Sequence, residues 1–195
     1  MSRARILTLL AMCFATSPLG CRLPPERNPP AALSTPVTVT VVVDEEHPLA
    51  EVALLAVRRL NESRGPDERP VKLNLGLDPV LRGVIVPVTT DIPPTTRSLI
   101  LLPRERSLPA RNRADPRFPS QLRSTDVQTS HSLGVYDAVV IAGVTARARP
   151  EGTPEVLLAW LRSQPGWRLS LGEFDYKTTL DPDFGPRALM PGSTQ

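Results

Sequence analysis

Apolar and polar positions alternate where the body of this chain begins. Val37, Val39, Val41 and Val43 share one phase, and Thr38, Thr40 and Val42 the other. A period of two predicts a β-strand with one fully apolar face. The period then changes. Leu49, Val52, Ala53, Ala56, Val57 and Leu60 recur at i, i+3, i+4, i+7, i+8 and i+11, the stripe of an amphipathic helix, with Glu51, Arg58, Arg59 and Glu62 off it. Asp44-Glu45-Glu46-His47-Pro48 opens that helix: acids near the first turn suit the positive end of its dipole, and proline is tolerated early in a helix. Gly65-Pro66 closes it. Val71, Leu73, Leu75 and Leu77 then alternate with Lys72, Asn74 and Gly76, a second strand with one wet face. The body therefore starts with a strand–helix–strand unit.

Two shorter apolar runs follow, Val84–Val88 and Ser98–Leu102. Pro87 lacks a ladder donor, which places the first at a sheet edge. Residues 104–131 show no apolar period and predict a long loop, of a length that is often functional. Val135-Tyr136-Asp137-Ala138-Val139-Val140-Ile141-Ala142-Gly143-Val144 is a continuous apolar run, predicted as a central strand covered on both faces. Thr153, Pro154 and Glu155 suit a helix start. Val156, Leu157, Trp160 and Leu161 form its buried side, Pro165-Gly166 ends it, and Trp167, Leu169 and Leu171 alternate as a final strand. Pro182, Pro186 and Pro191 predict an irregular tail over 181–195. The expected fold is a single α/β domain over 37–180. It has a mixed sheet, two strand–helix–strand units and helices packed on the sheet.

Composition changes this picture mainly at the N-terminus. Proline is abundant, 23 of 195 residues, against a typical share of about 5%. Aromatic residues are 4%, so the core must be built from aliphatic side chains. The net charge is +3, but Arg3 and Arg5 precede an apolar run from Ile6 to Thr16. That run is too short to cross a bilayer, which takes about 20 residues, and it suits the apolar region of a secretory signal. Without those two arginines the 23 basic residues fall to 21, against 20 acidic. The remaining balance gives no basis for nucleic-acid binding.

Pro18-Leu19-Gly20-Cys21 ends the apolar region and resembles the lipobox of bacterial lipoproteins. Gly20 and Cys21 match it, while Pro18 and Leu19 stand where leucine and a small residue are usual. The resemblance implies a signal peptide over 1–20 and a lipid on Cys21. The other reading is an ordinary signal cut nearby, with Cys21 left as a free thiol. Cys13 lies in the leader, so an internal disulfide and a zinc site built on several thiolates are excluded from the mature chain. Residues 21–36 carry Pro24, Pro25, Pro29, Pro30 and Pro36, a composition that makes an extended, semi-rigid tether.

Candidate chemistry is sparse. Asp44, Glu45, Glu46 and His47 stand where the first strand meets the first helix, a position where α/β sheets bind ligands. Carboxylates beside an imidazole can hold a metal or move a proton; the same residues can also serve only to start the helix. An enzyme here would need acids such as Asp78, Asp137 or Asp175 to join Asp44, Glu46 or His47. Glu173, Asp181 and Asp183 add carboxylates without a recognisable spacing. Ser130 and His131 are adjacent, which by itself makes no catalytic pair. The chain contains no G-x-S-x-G, H-E-x-x-H, P-loop or G-x-G-x-x-G motif, and no cofactor is expected. Arg97, Arg104, Arg106, Arg111, Arg113, Arg117 and Arg123 in or beside the long loop can either dock on an anionic surface or envelope protein, or remain solvated.

Ala56-Val57-Arg58-Arg59-Leu60-Asn61, leading into Val71–Leu77, resembles the first unit of one lobe of type I periplasmic binding proteins. Tyr136–Gly143 resembles another strand of that lobe. The resemblance implies a binding role and carries over no ligand residue. The expected function is a non-catalytic binding or assembly module of the bacterial envelope, lipid-anchored to the membrane through Cys21. The alternative is an exported, hydrolase-like enzyme using carboxylates, with or without a metal, near Asp44–His47.

Overall fold

The computed structural model describes residues 34–76, 83–88, 97–104, 130–170 and 172–191. The strand–helix–strand opening is present as expected. β1 (Val37–Val42) leads through α1 (Pro48–Glu62) to β2 (Val71–Leu75), which lies parallel to β1 with Val37 opposite Val71. β3 (Gly83–Pro87) and β4 (Ser98–Leu102) follow in parallel on the other side of β1. α2 (Ser130–Ala148), α3 (Pro154–Ser163), β5 (Trp167–Arg168), β6 (Glu173–Phe174) and β7 (Arg187–Leu189) complete the described chain. The main sheet has the order β2-β1-β3-β4-β7, with β7 antiparallel to β4. The fold is thus a single α/β domain with a mixed sheet and helices packed on it.

Four elements differ from the sequence expectation. Val135–Val144 is not a central strand but part of α2, a 19-residue helix. An apolar run shows no helical period when the helix is buried nearly all round. Here Val135, Ala138, Val139, Ile141 and Ala142 are all buried, because α2 packs on the sheet, on α1 and on α3. β3 is not at an edge: it lies between β1 and β4. Pro87 is tolerated there because it is the last strand residue. The bond to β1 beyond it is made by the neighbouring Val88 N–H, which donates to Val42 O at 3.1 Å. The final strand expected over Trp167–Leu171, of which Leu171 lies outside the described residues, does not join the main sheet. Trp167 and Arg168 pair with Phe174 and Glu173 in a separate antiparallel hairpin, so no second strand–helix–strand unit forms. The tail is not wholly irregular, since Arg187–Leu189 forms an edge strand beside Leu102–Ile100.

The core lies between the helices and the sheet face bearing Val39, Val41, Val84, Val86, Leu99 and Leu101. Register carries Thr40, Ile85, Ile100 and Leu189 onto the opposite face as one row, and these too are buried. Asn61 at the end of α1 holds β2: its Nδ2 donates to Val71 O at 2.9 Å, and Val71 N–H donates to its Oδ1 at 2.8 Å. Arg147 of α2 binds the same end, donating to Leu60 O at 2.9 Å and to Asn61 Oδ1 at 3.1 Å, and pairing with Glu68 at 3.0 Å. A cation at a helix C-terminus also suits the helix dipole. Among the described residues, no helix is long and apolar enough to cross a membrane.

Candidate functional site

The sheet reverses its strand order between β1 and β3, the place where open α/β sheets form a ligand crevice at the carboxyl ends of the strands. Asp44–His47 occupies that end of β1. His47 N–H donates to Asp44 O at 2.9 Å, closing a tight turn, and Ala50 N–H donates to His47 O at 2.8 Å, starting α1. The imidazole is the helix cap: its Nδ1 accepts from Leu49 N–H at 3.2 Å. The other ring nitrogen, Nε2, takes no part in the cap. Asp44, Glu45 and Glu46 are exposed, and His47 is half-buried.

The described acids that a catalytic site would need are bound to other partners or exposed. Asp137 is buried on α2 and accepts from Ser170 N–H at 3.1 Å. Asp175 accepts from Lys177 N–H at 2.9 Å. Glu173 pairs with Arg168 at 2.9 Å across the hairpin, and Asp181 pairs with Arg104. Asp183 is exposed. Asp78 lies outside the described residues. Among the described residues, no group of three His, Cys, Asp or Glu side chains is placed to hold a metal ion. Ser130 and His131 lie in the first turn of α2.

The loop expected over 104–131 is described only at its ends, in Arg104 and in the start of α2. Arg106, Arg111, Arg113, Arg117 and Arg123 lie outside the described residues, as do Cys21 and the rest of the leader and tether up to 33. Arg97 is exposed, and Arg104 is partly buried beside Asp181.

Sequence patterning gives no sign of one polar cluster. Tyr176 is fully buried and donates to Pro186 O at 2.6 Å. Burial raises its pKa; nearby Arg104 acts against that shift and Asp137 with it. Phe174 stacks edge-on against the Tyr176 ring, centroids 5.7 Å apart. The three polar residues come from the segment after β4, from α2 and from the segment after β6, so no local pattern links them. The raised pKa carries a pH dependence. The folded chain keeps the phenol proton above the ordinary value of 10.0, whereas the unfolded chain loses it there. The stabilisation is therefore complete below pH 10 and declines as pH rises beyond it. Tyr176→Phe is expected to lose about 1 kcal/mol at neutral pH with the hydrogen bond, and to fall less steeply between about pH 9 and 11. Urea unfolding at both ends of that range checks this. Equal slopes for variant and wild type would show that the buried phenol is not the titrating group. No family model, curated protein or solved structure matches this chain.

Proposed function

We propose that this chain is a lipid-anchored, non-catalytic binding or assembly module of the bacterial envelope. Its leader delivers it for export, Cys21 carries the lipid, and the proline-rich residues to 36 hold the α/β domain away from the membrane. The observation that carries the non-catalytic part is the use made of His47. Its Nδ1 is committed to the Leu49 N–H as a helix cap, and its acidic neighbours are exposed. Asp137 and Asp175, which a carboxylate site would recruit, instead accept from the Ser170 and Lys177 backbone N–H groups. These residues start a helix and tie down loops, leaving the domain to act through its surfaces.

The anchoring is tested by fractionating bacteria that express the wild-type chain or Cys21→Ser. The wild type is expected in the membrane fraction, with a lipid mass on an N-terminal peptide beginning at Cys21. The variant is expected in the soluble exported fraction. Membrane association that survives the substitution, together with an N-terminus lacking lipid, would sink the proposal.

A further inference from the structure

The free edge of the sheet at β2 is only half closed. Val37 N–H donates to Pro70 O and Gly76 N–H donates to Val41 O, at 2.9 and 3.0 Å. With Val37 opposite Val71 and Val41 opposite Leu75, Pro70, Lys72, Asn74 and Gly76 turn their backbone groups toward β1. Val71, Leu73 and Leu75 turn theirs outward. The Asn61 amide takes both outward groups of Val71, as a neighbouring strand would. Among the described residues, nothing pairs with the outward N–H and C=O of Leu73 and Leu75. An edge of this kind is a template for another strand.

The helix above this edge carries a matching feature. Leu54 lies two turns before Asn61, on the same flank of α1. Leu55 is half-buried against the core, whereas Leu54 is 49% exposed. No large apolar side chain among the described residues is more exposed. α1 joins the end of β1 to the start of the parallel β2, so it runs opposite to β2. Seven residues of helix, at about 1.5 Å each, bring Leu54 about 10 Å up from Asn61. Three residues of strand, at about 3.3 Å each, bring Asn74 to the same height above Val71.

From this geometry we infer that the β2 edge and the outer flank of α1 form a two-fold contact between two copies of this chain. Two antiparallel β2 strands centred on Asn74 set Leu73 of each copy opposite Leu75 of the other. That register uses the outward groups left unpaired and stops at the Asn61 plug. The same two-fold axis brings Leu54 against Leu54 of the second copy. The adjacent helices then run antiparallel, which places the exposed Glu51 of each copy opposite the exposed Arg58 of the other. Hydrogen-bonding register, apolar centre and charge pattern are self-complementary about one axis, as a two-fold interface requires. The inference stands on the sheet edge and the flank of α1 and does not depend on the tether.

Sedimentation velocity over a concentration series tests it, using the full chain with Cys21→Ser so that no lipid can drive association. The expected species is a dimer. Glu51→Arg sets like charges across the axis and is expected to weaken it about tenfold, as is Leu54→Arg. The charge exchange Glu51→Arg with Arg58→Glu is expected to restore the dimer, which general loss of folding cannot do. Circular dichroism checks that each variant is folded. A folded wild type that stays monomeric to millimolar concentration overturns the inference. So does a dimer indifferent to both single substitutions, since its contact would lie elsewhere. Failure of the charge exchange to rescue removes the antiparallel α1 pairing and overturns the register with it.

Discussion

Gly134→Ala is expected to destabilise the domain by about 3 kcal/mol, although alanine is ordinarily the better helix residue by about 1 kcal/mol. Gly134 sits in the second turn of α2, where the helix lies directly on the backbone of Arg104, two residues past the end of β4. A methyl group there would overlap the Arg104 carbonyl oxygen and lie 2.9 Å from its carbon and 3.0 Å from its nitrogen. Backbone cannot rotate aside as a side-chain tip can, so α2 or the segment after β4 must shift, and packing between α2 and the sheet is lost. Gly143, two and a half turns further along α2, is the internal comparison. Its added methyl would meet the tip of the Leu60 side chain, which can rotate away. Gly143→Ala is therefore expected to change stability by no more than about 1 kcal/mol. Denaturant midpoints of the two variants check this, and similar losses would show that α2 does not lie against Arg104.

Val57→Asp is expected to cost about 4 kcal/mol, enough to unfold much of the population of a domain of ordinary stability. Val57 is buried at 7% exposure among the core residues of α1, where a carboxylate finds no partner and no water. Its neighbour Arg58 is exposed. Arg58→Asp is expected to change fold stability by no more than about 0.5 kcal/mol, measured at protein concentrations too low for chains to pair. Thermal or urea unfolding of the two variants checks the helix register. Equal losses would mean that α1 presents a different face to the sheet.

The candidate site was legible in its position but not in its use. The run Asp44–His47 marks the end of β1 because a period of two gives way there to a helical period. That change is visible in the residues themselves; that the turn lies at the switch point of the sheet follows only from the strand order. Whether those side chains act together depends on direction. A histidine whose Nδ1 accepts from Leu49 N–H and a histidine aimed into a crevice have the same sequence. The Asn61–Arg147–Glu68 clamp was not legible either. Asn61 and Arg147 are 86 residues apart, and each alone is an unremarkable polar residue near a helix end.

What the sequence determined by itself is β1 and the set of elements with one wet face. β1 is buried on both faces apart from Thr38 and is legible because threonines alternate with its valines. α1 and β2 are half-buried amphipathic segments, so the period of their apolar residues records which side meets the core, and the turn residues beside them mark where each stops. α3 is legible for the same reason, with Leu157, Leu158 and Leu161 buried on one side. Tertiary structure alone decided the rest. Val135–Val144 is buried nearly all round because sheet and helices pack against α2, and a segment without a fully wet face carries no clear period to distinguish helix from strand. β7 is three residues long, too short to show an alternation, and is a strand because the edge of β4 offers it hydrogen bonds. Pro87 stands inside the sheet because its missing donor falls at the end of β3, and only the register of the assembled strands reveals that position.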